Sequence, residues 1–485
     1  MTAQPSTIFD GDGRLSGRAW GVLLVLCGAL FLDALDVSMA NVALPSIRSD
    51  LGLSTSSLQW VVSGYVLGFG GFLLLGGRAA DLLGRRRMFL ISLGVFALAS
   101  GLGGLADDGA LLIATRFVKG VAAAFTAPAG LSIITTSFAE GPARNKALAI
   151  YTATGATGFS LGLVFSGVLT ELGWRWVFLF PVPVALATLL AAIRLVPDPG
   201  RPTRRGGGFD VAGALTVTAA MLLLVFTVVE AADVGWGSAR TLVSLAGTAA
   251  LLASFVAIER RAATPLVRLG ILRSGPLVRA NLGAMALLGG WAGALFIATL
   301  YMQQLRGWSA LETGLAVFPA GLVVVALTPR VPSLVARFGV TRMILAGLGS
   351  HALAYALFLS IGTGSSYAAG MLPTFLLVGL GFGLAYGPLN IAATDGVAPQ
   401  EQGLDGGLLN TSFQFGAALV LALATAVNSA ATGPGGSPEA LLDGFHAAIA
   451  VSLVAALLGA AATAVRRPAR REPCTGPAVP CTELA

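Results

Sequence analysis

Two carboxylates stand where water should be scarce. In Phe31-Leu32-Asp33-Ala34-Leu35-Asp36 they sit inside a long apolar run, where a charge costs roughly 2.5–3.5 kcal/mol. At i, i+3 they share one face of a helix, so ionising both would bring like charges together. Repulsion and desolvation then keep at least one protonated part of the time, as a proton carrier requires. The alternative is a pair of carboxyls buried neutral and hydrogen-bonded to neighbouring helices. Acids inside a membrane are functional by default, so the first reading is preferred. The other charges inside an apolar run are basic, in Arg116-Phe117-Val118-Lys119-Gly120. Arginine does not lose its proton, so Arg116 needs an acceptor or a wet cavity. A carboxyl of the first helix or backbone carbonyls are the expected partners. Lys119 has a stem long enough to snorkel, and a structural role is expected of it.

The elements that must hold these residues follow from composition. The 485-residue chain is 55% hydrophobic, only 11% charged, and has a mean hydropathy of +0.83. Soluble domains carry about 25% charge, so a soluble enzyme and a disordered chain are excluded. Despite a net charge of +7, no nucleic-acid partner is expected, because the basic residues cluster between apolar runs. Only Lys119 and Lys146 among the 30 basic residues are lysine, which points to a GC-rich, bacterial coding sequence. Three cysteines are too few for a disulfide framework.

A helix crossing the bilayer core needs about 20 mostly apolar residues. That window predicts fourteen spans, over 20–42, 58–78, 88–106, 110–134, 149–170, 176–195, 209–231, 240–258, 280–302, 309–330, 340–361, 368–390, 406–428 and 443–465. The runs are continuous rather than alternating, which favours helices over a barrel. Residues 1–19 are polar, so no cleavable signal peptide is expected. With an internal N-terminus, 24 of the 30 basic residues fall on one side, four on the other, and Arg116 and Lys119 within a span. The expectation is a multi-pass protein of the bacterial cytoplasmic membrane with both termini inside.

An internal echo sets the plan. Leu83-Gly84-Arg85-Arg86-Arg87-Met88 aligns with Phe338-Gly339-Val340-Thr341-Arg342-Met343 at an offset of 255, both on loops of the basic side. The chain then reads as an all-α polytopic protein of 6+2+6 helices. A first bundle covers 1–200, an inserted pair 201–262, and a second bundle 263–485 with a short internal tail. Pro/Gly-rich and charged stretches flank the insert as linkers. Two such bundles are a transporter plan, with the site between them near the midplane.

Other polar positions carry less. Asn41, Tyr301, Gln303, Asn410 and Gln414 could line a cavity between bundles or fasten helices together. Neither His351 nor His446 stands among other ligands, so no metal site is expected. No nucleophile–base pair or phosphate-binding loop appears, so neither an enzyme nor a cofactor is expected.

Taken in order, these residues resemble the major facilitator superfamily, and within it the fourteen-helix drug:proton antiporters. Leu35-Asp36 followed by Asn41-Val42-Ala43-Leu44-Pro45 is similar to the first-helix motif, which makes Asp36 the membrane-embedded acid and leaves Asp33 outside the pattern. Gly77, Asp81, Gly84, Arg85 and Arg86 match the gating loop between the second and third helices. Arg116 and Gly120 match the fourth-helix motif, whose arginine the resemblance implicates in proton coupling; Ala122 replaces its second glycine. Trp174-Arg175-Trp176-Val177-Phe178 with Pro183 resembles the signature entering the sixth helix. Tyr301-Met302-Gln303 and Asn410-Thr411 with Gln414 and Gly416 resemble second-half signatures. The fifth-helix antiporter motif departs from the pattern: Gly158, Gly162 and Gly167 are present, but Leu163 replaces its proline and Ser166 a glycine. Proline would bend that helix, so its loss bears on strict antiport.

The resemblance implies proton-driven export of amphipathic small molecules such as drugs or antibiotics, with Asp36, Asp33 and Arg116 coupling protons to substrate. The alternative is a proton symporter or uniporter for a small metabolite. The partners implied are a small-molecule substrate, protons and the lipid bilayer, the proton gradient supplies the energy, and the chain acts as a monomer.

Overall fold

A computed structural model describes residues 16–138, 142–197, 210–262, 265, 275–394, 402–432 and 437–464. Helix follows helix, and no strand occurs among these residues. In chain order they are α1 (Gly17–Leu51), α2 (Thr55–Leu83), α3 (Arg85–Gly104), α4 (Gly109–Ser137), α5 (Pro142–Leu172), α6 (Arg175–Leu179), α7 (Pro181–Leu195), α8 (Val211–Val234), α9 (Ala239–Arg261), α10 (Gly275–Leu300), α11 (Ala310–Leu327), α12 (Val331–Phe338), α13 (Val340–Phe358), α14 (Leu372–Thr394), α15 (Gln402–Thr432) and α16 (Pro438–Ala464).

Thirteen segments among the described residues are long and apolar enough to cross a membrane. Each overlaps one of the expected spans. The remaining expected span, 58–78, forms the 29-residue α2, which is not among the thirteen.

Boundaries moved where local chemistry differs from hydropathy. The first helix runs past residue 42 to Leu51 because Pro45 removes only one ladder bond. It stops at Gly52, whose φ of +62° a side chain would disfavour. The sixth span is two helices meeting at Phe180, with Pro181 opening the second. The ninth continues beyond α10 into a π-helical turn over Tyr301–Leu305, and the tenth carries on through a 3₁₀ turn into α12.

Cross-helix contacts fix the polarity of the bundle. At one end Arg86 donates to the carbonyl of Ile193 (2.6 Å), and Gly21 faces Leu195. At the other, Trp174 and Arg175 both donate to Asp50, at 2.8 and 2.7 Å, and Gln303 donates to the carbonyl of Val42 (2.9 Å). The first is the arginine-rich end, where α1 and α3 begin and α2 and α7 finish; the second is arginine-poor.

The buried cores reveal how the halves meet. Near the arginine-rich end the first half has its own core around Leu23, Phe89, Phe96 and Phe138. The second half has another around Leu277, Ile344, Leu389 and Phe413. Towards the arginine-poor end one core takes in Met39, Ile47 and Val61 of the first half with Phe296, Tyr301 and Phe445 of the second. The halves are therefore fused at the arginine-poor end, while towards the other each keeps a core of its own and only a small core around Leu75 and Ala214, with Leu408 packed on it, spans them among the described residues.

Candidate functional site

Asp36, Arg116 and Lys119 form a buried ion cluster. The Asp36 carboxylate accepts from Arg116 through Oδ2 and from Lys119 through Oδ1. All three are at most 1% exposed. Burying charge is tolerable only when ions pair and their remaining hydrogen-bonding groups are satisfied, and the neighbouring helices do both. Arg116 Nε donates to the carbonyl of Val61 on α2 (2.9 Å), and its guanidinium lies 4.7 Å from the centre of the Tyr65 ring. Lys119 Nζ donates to Ser100 Oγ on α3 (2.9 Å) and stands 4.6 Å above the Phe96 ring. Ser100 in turn donates to the carbonyl of Phe178 (2.7 Å) in α6. One carboxylate thus gathers α1, α2, α3, α4 and α6.

Glycine makes this convergence possible. A Cβ at Gly120 would overlap the carbonyl of Tyr65, and one at Gly68 would sit 2.5 Å from the carbonyl of Phe117. α2 and α4 therefore touch backbone to backbone, which brings the Val61 carbonyl within reach of Arg116. Gly120→Val is expected to wedge the two helices apart at a cost of about 1–3 kcal/mol. Thermal unfolding of the purified protein would check it, and an unchanged midpoint would count against the contact.

The expected acceptors of Arg116, a first-helix carboxyl and a backbone carbonyl, are both present. Lys119 does not snorkel: it is fully buried and shares Asp36 with Arg116. The burial rules out the snorkelled position and leaves the structural role expected of it standing. The signal was the i, i+3 spacing of Arg116 and Lys119, which sets two cations on one face that must find an anion. Asp33 is part-buried, one turn from Asp36, and has no hydrogen bond or ion pair among the described residues. The two carboxyls differ in surroundings: Asp36 is held by two cations, whereas Asp33 is part-buried and without a partner among the described residues.

The fifth-helix motif holds α5 against both halves. Gly158 and Gly162 face the backbone of Phe31 and Leu35 in α1, while Gly167 faces Leu311 in α11. Leu163 is buried, and its carbonyl lies against Gly314 of α11. Ser166 donates to the carbonyl of Met39 (2.6 Å), tying α5 to α1. α5 contains no internal proline and runs unbroken from Pro142 to Leu172.

In the loop between α2 and α3, Gly84 has φ +100°, a turn that favours glycine. A Cβ at Gly77 would meet only Pro128 at an ordinary 3.8 Å. Arg85 reaches the carbonyl of Ser132 (3.5 Å) and Arg86 that of Ile193. These two arginines cap the ends of α4 and α7, as cations near helix C-termini do. The Asp81 side chain lies outside the described residues.

The five candidate cavity residues are engaged in separate contacts. Asn41 is buried and donates to Val37 in its own helix (2.8 Å). Tyr301 is enclosed in the second half and donates to the carbonyl of Gly362 (2.8 Å). Gln303 bridges the halves through Val42, Gln414 lies against Gly70 of α2, and Asn410 is part-buried on α15.

Sequence reasoning passed over Gln59 and Ser63. Both are fully buried, and neither the Gln59 amide nor the Ser63 hydroxyl has a partner among the described residues. They share a face of α2 with Gly70, which meets Gln414 of α15 at the seam between the halves. Two polar residues at i, i+4 in an otherwise apolar helix were the available signal.

The model of the Major Facilitator Superfamily matches residues 26–421. The chain is 39% identical over 444 residues to the cephamycin export protein CmcT of Amycolatopsis lactamdurans, covering 91% of each chain. It is 38% identical over 440 residues to the puromycin resistance protein pur8 of Streptomyces alboniger, covering 88% of this chain and 86% of the relative. Among solved structures, it resembles an inward-facing bacterial homologue of the lysosomal transporter Spinster with a TM-score of 0.63 at 16% identity, covering 92% of this chain and 97% of that one. It resembles the peptide transporter POT with a TM-score of 0.66 at 15% identity, covering 91% and 94%. At these identities the structural likeness speaks for the fold alone.

Proposed function

The chain belongs to the major facilitator superfamily, and from that premise we propose that it exports amphipathic small molecules, antibiotics among them, in exchange for protons. The observation that carries the coupling is the Asp36 carboxylate held by two buried cations beside a part-buried, unpaired Asp33. In this arrangement Asp36 binds α1 to α4 only while it is ionised. Protonation removes its charge, weakens both bonds, and frees α1 to move relative to α4. The export direction draws on the relatives, which carry the names of cephamycin export and puromycin resistance.

The arginine-rich end is assigned to the cytoplasm of a bacterial cell by the positive-inside rule. The halves are fused at the other end, so the conformation reads as inward-facing. A proton leaving Asp36 towards the cytoplasm would leave the ion-paired carboxylate. The 6+2+6 plan and monomeric action belong to the same reading.

Everted membrane vesicles with an acid interior test it. Adding lipophilic cations or neutral antibiotics is expected to dissipate the gradient for some compounds and not others. A gradient that no compound disturbs, with folded protein demonstrated in the membrane, would overturn the antiport reading.

A further inference from the structure

The two seams between the halves are built differently. Along the α2–α15 seam, Gly70 lies against Gln414, and α8 of the inserted pair packs on both helices. α8 is keyed into α2: a Cβ at Gly71 would overlap the hydroxyl of Thr218, so only glycine leaves room for that threonine. Nearer the arginine-rich end, Leu75 of α2 and Ala214 of α8 form a small buried core, with Phe72, Phe125, Phe255 and Leu408 packed around it. Leu75 is eight residues from the end of α2, about 12 Å along the helix. The seam is filled at least that far.

The α5–α11 seam is closed by three glycine contacts: Gly167 on Leu311, Gly314 on Leu163, and Gly321 on Ser160. Ser160 is eighteen residues from the start of α5, about 27 Å along it. One turn beyond Gly321 on the same face of α11, Val325 is 38% exposed. Among the described residues neither inserted helix packs on α5 or α11 to any extent comparable with α8 on α2 and α15. At the depth where α8 fills one seam, the other has begun to open.

We propose that α8 is a lateral stopper, which shuts the α2–α15 seam to the bilayer so that an amphiphile dissolved in the leaflet of the arginine-rich end enters between the halves from the α5–α11 side. An amphiphile partitions into the apolar leaflet rather than the water, and the filled seam offers it no gap. This gives the inserted pair a task beyond peripheral packing. It rests on the transporter reading only for the claim that the entering molecule is substrate.

The test compares lipid access at two single cysteines, Val325→Cys and Leu408→Cys, in a background lacking Cys27, Cys474 and Cys481. Each is labelled with bimane and reconstituted in phosphatidylcholine–phosphatidylglycerol vesicles containing doxyl-labelled phosphatidylcholine, which quenches on contact. The Val325 probe is expected to lose most of its emission and the Leu408 probe little. Gly71→Leu, which drives α8 off α2, is expected to raise quenching at Leu408 towards that at Val325. Thr218→Leu overpacks the same contact from the other side and serves if the first variant fails to fold. Equal quenching at both sites in the otherwise unchanged protein, or no response at Leu408 to either displacing variant, would overturn the proposal. The comparison uses neither gradient nor substrate, so its failure counts against the stopper alone, and a silent vesicle assay counts against antiport alone.

Discussion

Replacing Asp36 with asparagine is expected to do two things, and the cluster geometry allows them to be separated. The first is a loss of stability. Asp36→Asn leaves Arg116 and Lys119 buried with no anion between them, and breaking a buried pair by removing one partner typically costs about 3–5 kcal/mol. The second is loss of the gradient response, because the group that would carry the proton is gone. A single inactive variant would not tell these apart. Adding Lys119→Met to Asp36→Asn removes one of the two stranded cations and lets Arg116 keep its bonds to Val61 and Tyr65. The double variant is expected to recover much of the lost thermal stability while remaining silent in everted vesicles. Recovery of compound-driven gradient dissipation together with stability would mean that Asp36 serves only as the counter-ion of two buried cations.

What the sequence disclosed about this cluster, and what it withheld, has a physical cause. Asp36 and Arg116 were legible because charge inside an apolar run is costly wherever the run ends up. Their mutual contact was foreseeable because arginine has no way to shed its proton. Lys119 was harder to place because its long stem offers a route to the membrane surface, and the sequence cannot say whether the packing closes it. It is the Ser100–Phe178 link between α3 and α6 that supplies a polar seat for its ammonium. Gln59 and Ser63 stayed hidden for a related reason: a neutral polar residue is cheap enough to pass in an apolar helix, and only the facing helix shows whether it found a partner. Hydropathy located thirteen of the expected spans but could not see that Pro45 would leave α1 unbroken, or that the sixth span divides at Phe180. Such outcomes are decided by single backbone hydrogen bonds rather than by mean apolarity.

Arg116 and Lys119 carry the same charge to the same carboxylate, yet their removal is expected to differ. Arg116→Leu and Lys119→Leu each leave Asp36 with one cation, so a purely electrostatic role predicts similar losses. The geometry predicts otherwise. Arg116 is a planar fork that joins the Asp36 carboxylate to the Val61 carbonyl while stacking on Tyr65, and it stays charged in either state of Asp36. Lys119 joins α1 to α3 through Ser100 as a compact point charge on a flexible stem. The fork that ties the carboxylate to α2 is thus expected to matter more than the point charge. Arg116→Leu is expected to lower compound-driven proton exchange on the order of a hundredfold, equivalent to about 2.7 kcal/mol in transition-state terms, and Lys119→Leu by about tenfold. Arg116→Lys restores charge without the fork or the stack and should fall between them. Initial rates of gradient dissipation in everted vesicles, normalised to protein in the membrane, would measure all three. Equal losses for the two leucine variants, with full rescue by Arg116→Lys, would show that charge alone matters and that the link from α1 through Arg116 to α2 is structural.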